Sequence, residues 1–183
     1  MRTKYICHEK LSEPAIAPKI TTVFPTLVFG GSDTKPYSHI AGGLSEVASY
    51  IGIIRFIKAD GSLHYIHAKD IAEVVRHLVD HPPAEGESRE LVIGNPSKTA
   101  NEVVQDITQY LGKRTYFQVP LSFGLANAII KIFNIRMADW DRFSMEYRHF
   151  TYQNAVTPSS FGLQDNYPTI EDVFRSAGVM PKG

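Results

Sequence analysis

Few residues of this chain have types and spacings that could do chemistry, and each is weighed against its neighbours. His64 and His67 invite a metal reading, but residues three apart on a strand point to opposite faces and cannot share an ion while the strand lasts. Asp70 stands in the first turn of a helical pattern, where a carboxylate favours the positive end of the dipole, so it reads as a cap. The glycine pairs Gly30-Gly31 and Gly42-Gly43 lack the strand, turn and helix context that aims backbone N–H groups at a pyrophosphate. No G-x-x-x-x-G-K-S/T, G-x-S-x-G, H-E-x-x-H or G-x-G-x-x-G is present, so phosphate-loop, hydrolase-elbow, zincin and dinucleotide-turn readings have nothing to stand on. The aromatic positions within 140–152 read as core or interface, because a base-stacking platform wants positive charge around it.

Composition narrows the classes further. Lys plus Arg equals Asp plus Glu at 19 each, so no basic field recommends nucleic acid or an anionic membrane as partner. A single cysteine, Cys7, excludes an internal disulfide framework and fits a reducing compartment. No basic segment followed by an apolar run opens the chain, which argues against a signal peptide. The most apolar stretch, Leu121 to Phe133, is interrupted by Lys131 and is too short for about 30 Å of hydrocarbon. The expectation is a cytoplasmic protein with no membrane span, folded as one domain over 1–183.

The elements that would position these residues alternate between strand and helix. Residues 4–13 read as a helix stopping before Pro14. ITTVFPTLVF is a β-branched strand that must end or turn at Pro25, and Gly30 to Asp33 is a loop. Tyr37 to Tyr50 reads as a helix, and the short apolar runs flanking Asp60-Gly61 predict a hairpin. Over Lys69 to Asp80, Ile71, Val74, Val75, Leu78 and Val79 form an apolar stripe, with Glu73, Arg76, His77 and Asp80 on the wet face. Glu90 to Ile93 and Tyr116 to Val119 read as strands. Thr99-x-x-Glu102 is a capping box starting a helix that ends at Gly112, with Val103, Val104, Ile107, Tyr110 and Leu111 buried. Helices are also expected over 122–133 and 139–150, and a last one capped by Thr169-x-x-Asp172 and stopped at Gly178. This order argues an α/β layered protein with a partly parallel, thin sheet.

Four stretches carry a resemblance. HYIHAKDIAEVVRHLV, from His64 to Val79, resembles the Y-I-H-V-x-D-x-A segment of the extended short-chain dehydrogenase/reductase family, the NAD(P)-dependent epimerases and dehydratases. VFPTLVFGG, from Val23 to Gly31, is similar to that family's R-P-x-x-V-Y-G strand. ELVIGNPSKTANEVVQDITQYLG and FGLQDNYPTIEDVFRSAGV resemble two later elements, in the family's order and at its spacing.

The resemblance implies an incomplete Rossmann-like layered fold: a C-terminal half with a substrate-side subdomain, beginning just after the family's catalytic tyrosine. In that family a glycine-rich turn binds NAD or NADP, and a Tyr-x-x-x-Lys pair does acid/base work, the lysine lowering the tyrosine pKa and holding the nicotinamide ribose. MRTK matches the residues after the tyrosine in Y-x-R-S/T-K, which makes Lys4 the catalytic and cofactor-binding lysine. Phe24, Pro25 and Thr26 are then expected against the nicotinamide end and His67 against a small-molecule substrate. Neither the tyrosine nor the glycine-rich turn is among these residues, so the chain alone is expected to bind cofactor weakly and to be inactive. Its implied partners are a second copy or a complementing N-terminal polypeptide. Leu63 stands where sugar epimerases carry a phosphate-pairing arginine, which argues against tight nucleotide-sugar binding. The competing expectation is a non-enzymatic, dehydrogenase-like scaffold that binds a partner through an open sheet edge.

Overall fold

The structure is a computed structural model that describes residues 2–11, 17–30, 39–132 and 147–181. ITTVFPTLVF breaks into two strands at its proline, as expected: β1 (Thr22–Pro25) and β2 (Leu27–Phe29). β1 runs parallel to β6 (Glu90–Ile93), with Pro25 opposite Ile93. β2 runs parallel to β5 (Tyr65–His67), with Phe29 opposite His67. Thr22 N–H donates to Arg89 O at 2.7 Å and Thr26 N–H to Ile93 O at 3.0 Å. Alternate residues therefore face β6, and Val23 and Pro25 face the other edge. A proline is tolerated there because no ladder bond needs the N–H it lacks.

The strands alternate between two cores. Leu27, Phe29 and Tyr65 join Leu44, Ile51, Ile107, Ile170, Val173 and Phe174 on one face. Val28 and Ile66 join Val74, Leu78, Ile93 and Phe161 on the other. The first face is covered by α2 (His39–Ile54), α4 (Ala100–Tyr110) and α6 (Ile170–Ser176), the second by α3 (Ala68–Asp80) and a 3-10 turn at Pro158–Phe161. Helices on both faces of parallel strand pairs make a Rossmann-like α/β layering, the class expected from sequence. Both capping boxes form: Thr99 Oγ1 accepts from Glu102 N–H and Thr169 Oγ1 from Asp172 N–H, each at 3.1 Å. Beyond them, Gly112 and Gly178 close their helices at φ 66° and 74°, which glycine adopts without strain. Two further helices are α1 (Arg2–Leu11) and α5 (Phe123–Ile132).

Several expectations give way. The hairpin at Asp60-Gly61 does not form. β3 (Ile57–Lys58) pairs instead with β8 (Val119–Pro120), where the strand expected over 116–119 is shortened and shifted. β4 (Ser62–Leu63) pairs with β7 (Lys98–Thr99) and β9 (His149–Phe150). The reason is competition for backbone groups. Gly61 O accepts from Ala100 N–H at 2.8 Å and Ser62 N–H donates to Arg148 O at 2.9 Å. Gly61 is also required by space, since a Cβ there would meet Arg148 O at 2.9 Å. α2 runs past Tyr50, the expected end of this helix, through Ile53 and Ile54, the start of the apolar run before Asp60-Gly61. Residues 139–146 of the helix expected over 139–150 lie outside the described residues, and β9 occupies its end. In α3 the stripe is narrower than its periodicity implies: Val75 is 38% and Val79 75% exposed, because the sheet and Phe161 meet only the Ile71, Val74 and Leu78 side.

Asp70 is the largest departure. It is wholly buried and caps nothing on its own helix, where His67 Nδ1 instead accepts from Lys69 N–H at 3.2 Å. Its carboxylate reaches a loop 96 residues away: Oδ1 accepts from Asn166 N–H at 2.8 Å and from Asn166 Nδ2 at 2.9 Å, and Oδ2 from Tyr167 N–H at 3.1 Å. Hydrogen bonds to a charged acceptor contribute about 1.5–3 kcal/mol, and an amide in its place turns an N–H₂ toward a donor. Asp70→Asn is therefore expected to destabilise the chain by about 2–3 kcal/mol, read as a lower urea midpoint at unchanged slope. Asp80→Asn, on the exposed end of the same helix, should stay within about 0.5 kcal/mol.

Candidate functional site

In an open α/β sheet, ligands bind beyond the carboxyl ends of the parallel strands. Here those ends are Pro25-Thr26 after β1, Phe29-Gly30 after β2, His67 at the end of β5 and Ile93-Gly94 after β6. The backbone is packed tightly at this rim. A Cβ on Gly94 would lie 2.7 Å from Thr26 Oγ1, and one on Gly30 2.7 Å from the Ala68 Cβ. Thr26 Oγ1–H donates to Ile93 O at 3.1 Å, so its hydroxyl ties β1 to β6.

Behind the rim, the HYIHAKD stretch holds the C-terminal segment through buried polar groups. His64 Nδ1–H donates to Asn95 O at 2.8 Å, and its Nε2 accepts from Tyr152 N–H at 3.0 Å. Both ring nitrogens are thereby satisfied, and the tautomer is set with the proton on Nδ1. Asn95 Nδ2 donates to Tyr167 O at 3.1 Å, opposite the Tyr167 N–H taken by Asp70. The Tyr167 ring stacks on His67 at 3.7 Å between centroids. His64 and His67 are each buried with separate hydrogen-bond partners. Among the described residues no group of three or more His, Cys, Asp or Glu side chains could hold a metal.

The expected site residues fall in two places. Lys4 is exposed on α1, one turn before His8 and on the same helical face. His8 anchors that helix, its ring edge-on to Phe24 at 5.3 Å and its Nε2 2.9 Å from Glu90 Oε1. Phe24 is 38% exposed and Pro25 is exposed, and Phe24 meets α1, the helix that carries Lys4, through His8, which makes α1 and β1 one of these two places. His67 belongs to the other, 5% exposed beneath Tyr167 at the end of β5. Sequence reasoning missed His8, whose signal was its i, i+4 spacing from Lys4.

Two constellations fail on geometry. Tyr65-Ile-His-Ala-Lys69 has Tyr-x-x-x-Lys spacing, but Tyr65 lies on a strand and Lys69 on the following helix, so they do not share a helical face. Burial, then the Asp106 charge, push the Tyr65 phenol up to about 12, and its O–H donates to Pro168 O at 3.0 Å. That is a structural tyrosine. Ser62 Oγ lies 2.8 Å from His149 Nδ1, and His149 Nε2 3.6 Å from Asp60 Oδ1, the order of a hydrolase triad. Yet Asp60 is 65% exposed and pairs with Arg148, and the Ser62 N–H that an oxyanion would need is bonded to Arg148 O. The three residues fasten β9 to β4.

Burial lowers the His67 pKa below its usual 6.5, with the Lys69 charge adding to it and the Asp70 charge opposing. As pH falls through 6.5 the unfolded chain takes up a proton there that the folded chain resists, so this group makes stability fall with acid down to its folded pKa. Protonation at Nδ1 would also break the cap to Lys69 N–H. Urea midpoints measured between pH 7 and 5 should therefore fall less steeply in His67→Asn, whose side-chain oxygen keeps the cap, than in the parent chain.

No protein-family model and no curated protein matches the chain. Solved structures do. Gox2253 superposes with a TM-score of 0.52 at 17% identity, over 86% of this chain and 49% of its own. A dTDP-glucose 4,6-dehydratase from Bacillus anthracis in complex with NAD gives 0.46 at 14% identity, and a nucleoside-diphosphate-sugar epimerase from Pseudomonas aeruginosa 0.41 at 17%. The chain covers 86% of its own length in both cases, and 43% and 48% of theirs. It thus spans less than half of each of these three structures, and the likeness to gox2253 is one of fold.

Proposed function

We propose that this chain is the substrate-side portion of an NAD(P)-dependent enzyme of the extended short-chain dehydrogenase/reductase kind, acting as an epimerase, dehydratase or reductase on a small molecule. The observation that carries the reading is positional. The family-like segments fall in the family's order, and the ones at Val23 and His64 lie in register as the parallel pair β2 and β5, with Gly30 and Ala68 in close approach at their ends. The fold shared with gox2253 over 86% of the chain supports it.

The residues present fit one end of a dinucleotide. Phe24 offers an apolar face at the carboxyl end of β1, and Lys4, on the helix that His8 anchors to Phe24, offers a cation suited to a ribose hydroxyl. The sequence contains no glycine-rich turn for a pyrophosphate. When bound, the nicotinamide supplies hydride transfer. Lys4 would lower the pKa of a tyrosine brought beside it by its charge and would orient the ribose, while Phe24 would cover the nicotinamide end with an apolar face. The Tyr-x-x-x-Lys pair at 65–69 cannot replace that tyrosine, because its phenol is buried, bonded and raised to about 12. Turnover thus needs a polypeptide that brings a tyrosine and a phosphate cradle. The β1 edge bearing the Val23 N–H and C=O is where its strand would add. Leu63 directs the substrate away from nucleotide sugars that rely on an arginine at that position.

Titration of the purified chain with NADPH or NADH, followed by fluorescence, should show no binding at micromolar concentration. Micromolar binding by the chain alone would overturn the claim that the cradle must come from elsewhere. A polypeptide that restores NADPH binding should lose that effect when Lys4 becomes alanine.

A further inference from the structure

Among the described residues, one buried side-chain polar atom has no hydrogen-bond partner, and it is Nε2 of His67. The ring is 5% exposed. Its Nδ1 accepts from Lys69 N–H, so the uncharged imidazole carries its proton on Nε2 and presents an unmatched donor. A phenylalanine would occupy that space without the cost of an orphan donor, and local rules broken in a fold tend to mark function.

Place adds to this. His67 ends β5 opposite Phe29 at the end of β2, and the next residue opens α3, a helix of 13 residues. The orphan donor therefore stands at the carboxyl ends of two parallel strands, beside the positive end of a helix dipole. Tyr167 lies over one face of the ring, with its own backbone held by Asp70 and Asn95.

We infer that His67 Nε2–H donates a hydrogen bond to an uncharged acceptor oxygen, a carbonyl or hydroxyl of a small-molecule ligand, at the carboxyl ends of β2 and β5. Charge selects the class. A bare helix N-terminus favours an anion, but Asp70 already puts a carboxylate in the first turn of α3, and its charge acts on His67 more strongly than the opposing Lys69 charge does. An anionic ligand meets that charge, and an ammonium ligand brings donors to a donor. The inference rests on the proposal that this rim binds small molecules.

The test uses the full chain with imidazole nitrogens labelled and three probes sharing one ring: cyclohexanone, cyclohexanecarboxylate and cyclohexylammonium. Cyclohexanone should shift the His67 Nε2 resonance saturably, while the two charged probes leave it in place. His67→Asn keeps the cap through its Oδ1 and carries no donor as far out as Nε2, so it should weaken cyclohexanone binding by about tenfold, the scale of one hydrogen bond. His67→Gln, whose amide N–H reaches about as far as Nε2, should recover part of that loss. Cyclohexanone binding with Nε2 unmoved and His67→Asn unaffected overturns the inference while leaving the rim as a site. Stronger binding of the carboxylate overturns the class assigned. Failure of every probe to perturb the rim overturns both the inference and the reading beneath it.

Discussion

The carboxylate of Asp70, buried and accepting three N–H groups from Asn166 and Tyr167, is the constraint on which the rest of this chain depends. It fixes the loop between two parts of the C-terminal segment that serve different cores. Upstream, Val156 and Phe161 complete the core under α3. Downstream, Ile170, Val173 and Phe174 complete the core against α2 and α4. Neither part could pack if the loop between them drifted. Asn95 and Tyr65 hold the same loop from the other side through the Tyr167 and Pro168 carbonyls. A buried acid is expensive unless its lone pairs are matched, and here two backbone N–H groups and one side-chain amide match them.

This gives the HYIHAKD stretch a physical meaning apart from catalysis. His64 ties Asn95 to Tyr152, Tyr65 reaches Pro168, Ile66 fills a core, His67 caps α3, and Asp70 clamps the loop. A resemblance concentrated in such residues reports how the chain folds. The groups that could report chemistry, Lys4 with Phe24 and Pro25, are exposed and held by lighter contacts, chiefly the His8 ring and its bond to Glu90.

What could be read from sequence divides by the range of the interaction. The capping boxes at Thr99 and Thr169 and the break at Pro25 were legible because their partners lie within three or four residues. The Asp70 clamp was not, since its partners are 96 and 97 residues away and a cap is the local use of the same carboxylate. The hairpin at Asp60-Gly61 failed for a like reason, because Ala100 and Arg148 outcompete the local partner for its backbone. Val75 and Val79 satisfy the helical period, but only packing reveals which part of the arc meets the sheet. At the rim, the end of β1 at Pro25 was legible from the proline itself, whereas the orphaned Nε2 of His67 could be seen only with its neighbours in place.

The most direct measurement is native-state hydrogen exchange at the backbone amides of Asn166 and Tyr167. Both are expected to exchange as slowly as the amides of β5 in the parent chain, and Asp70→Asn is expected to accelerate these two far more than the amides of α4, which the clamp does not touch. Fast exchange at Asn166 and Tyr167 in the parent chain, or equal acceleration everywhere in the variant, would contradict the claim that one buried carboxylate holds the C-terminal segment in place.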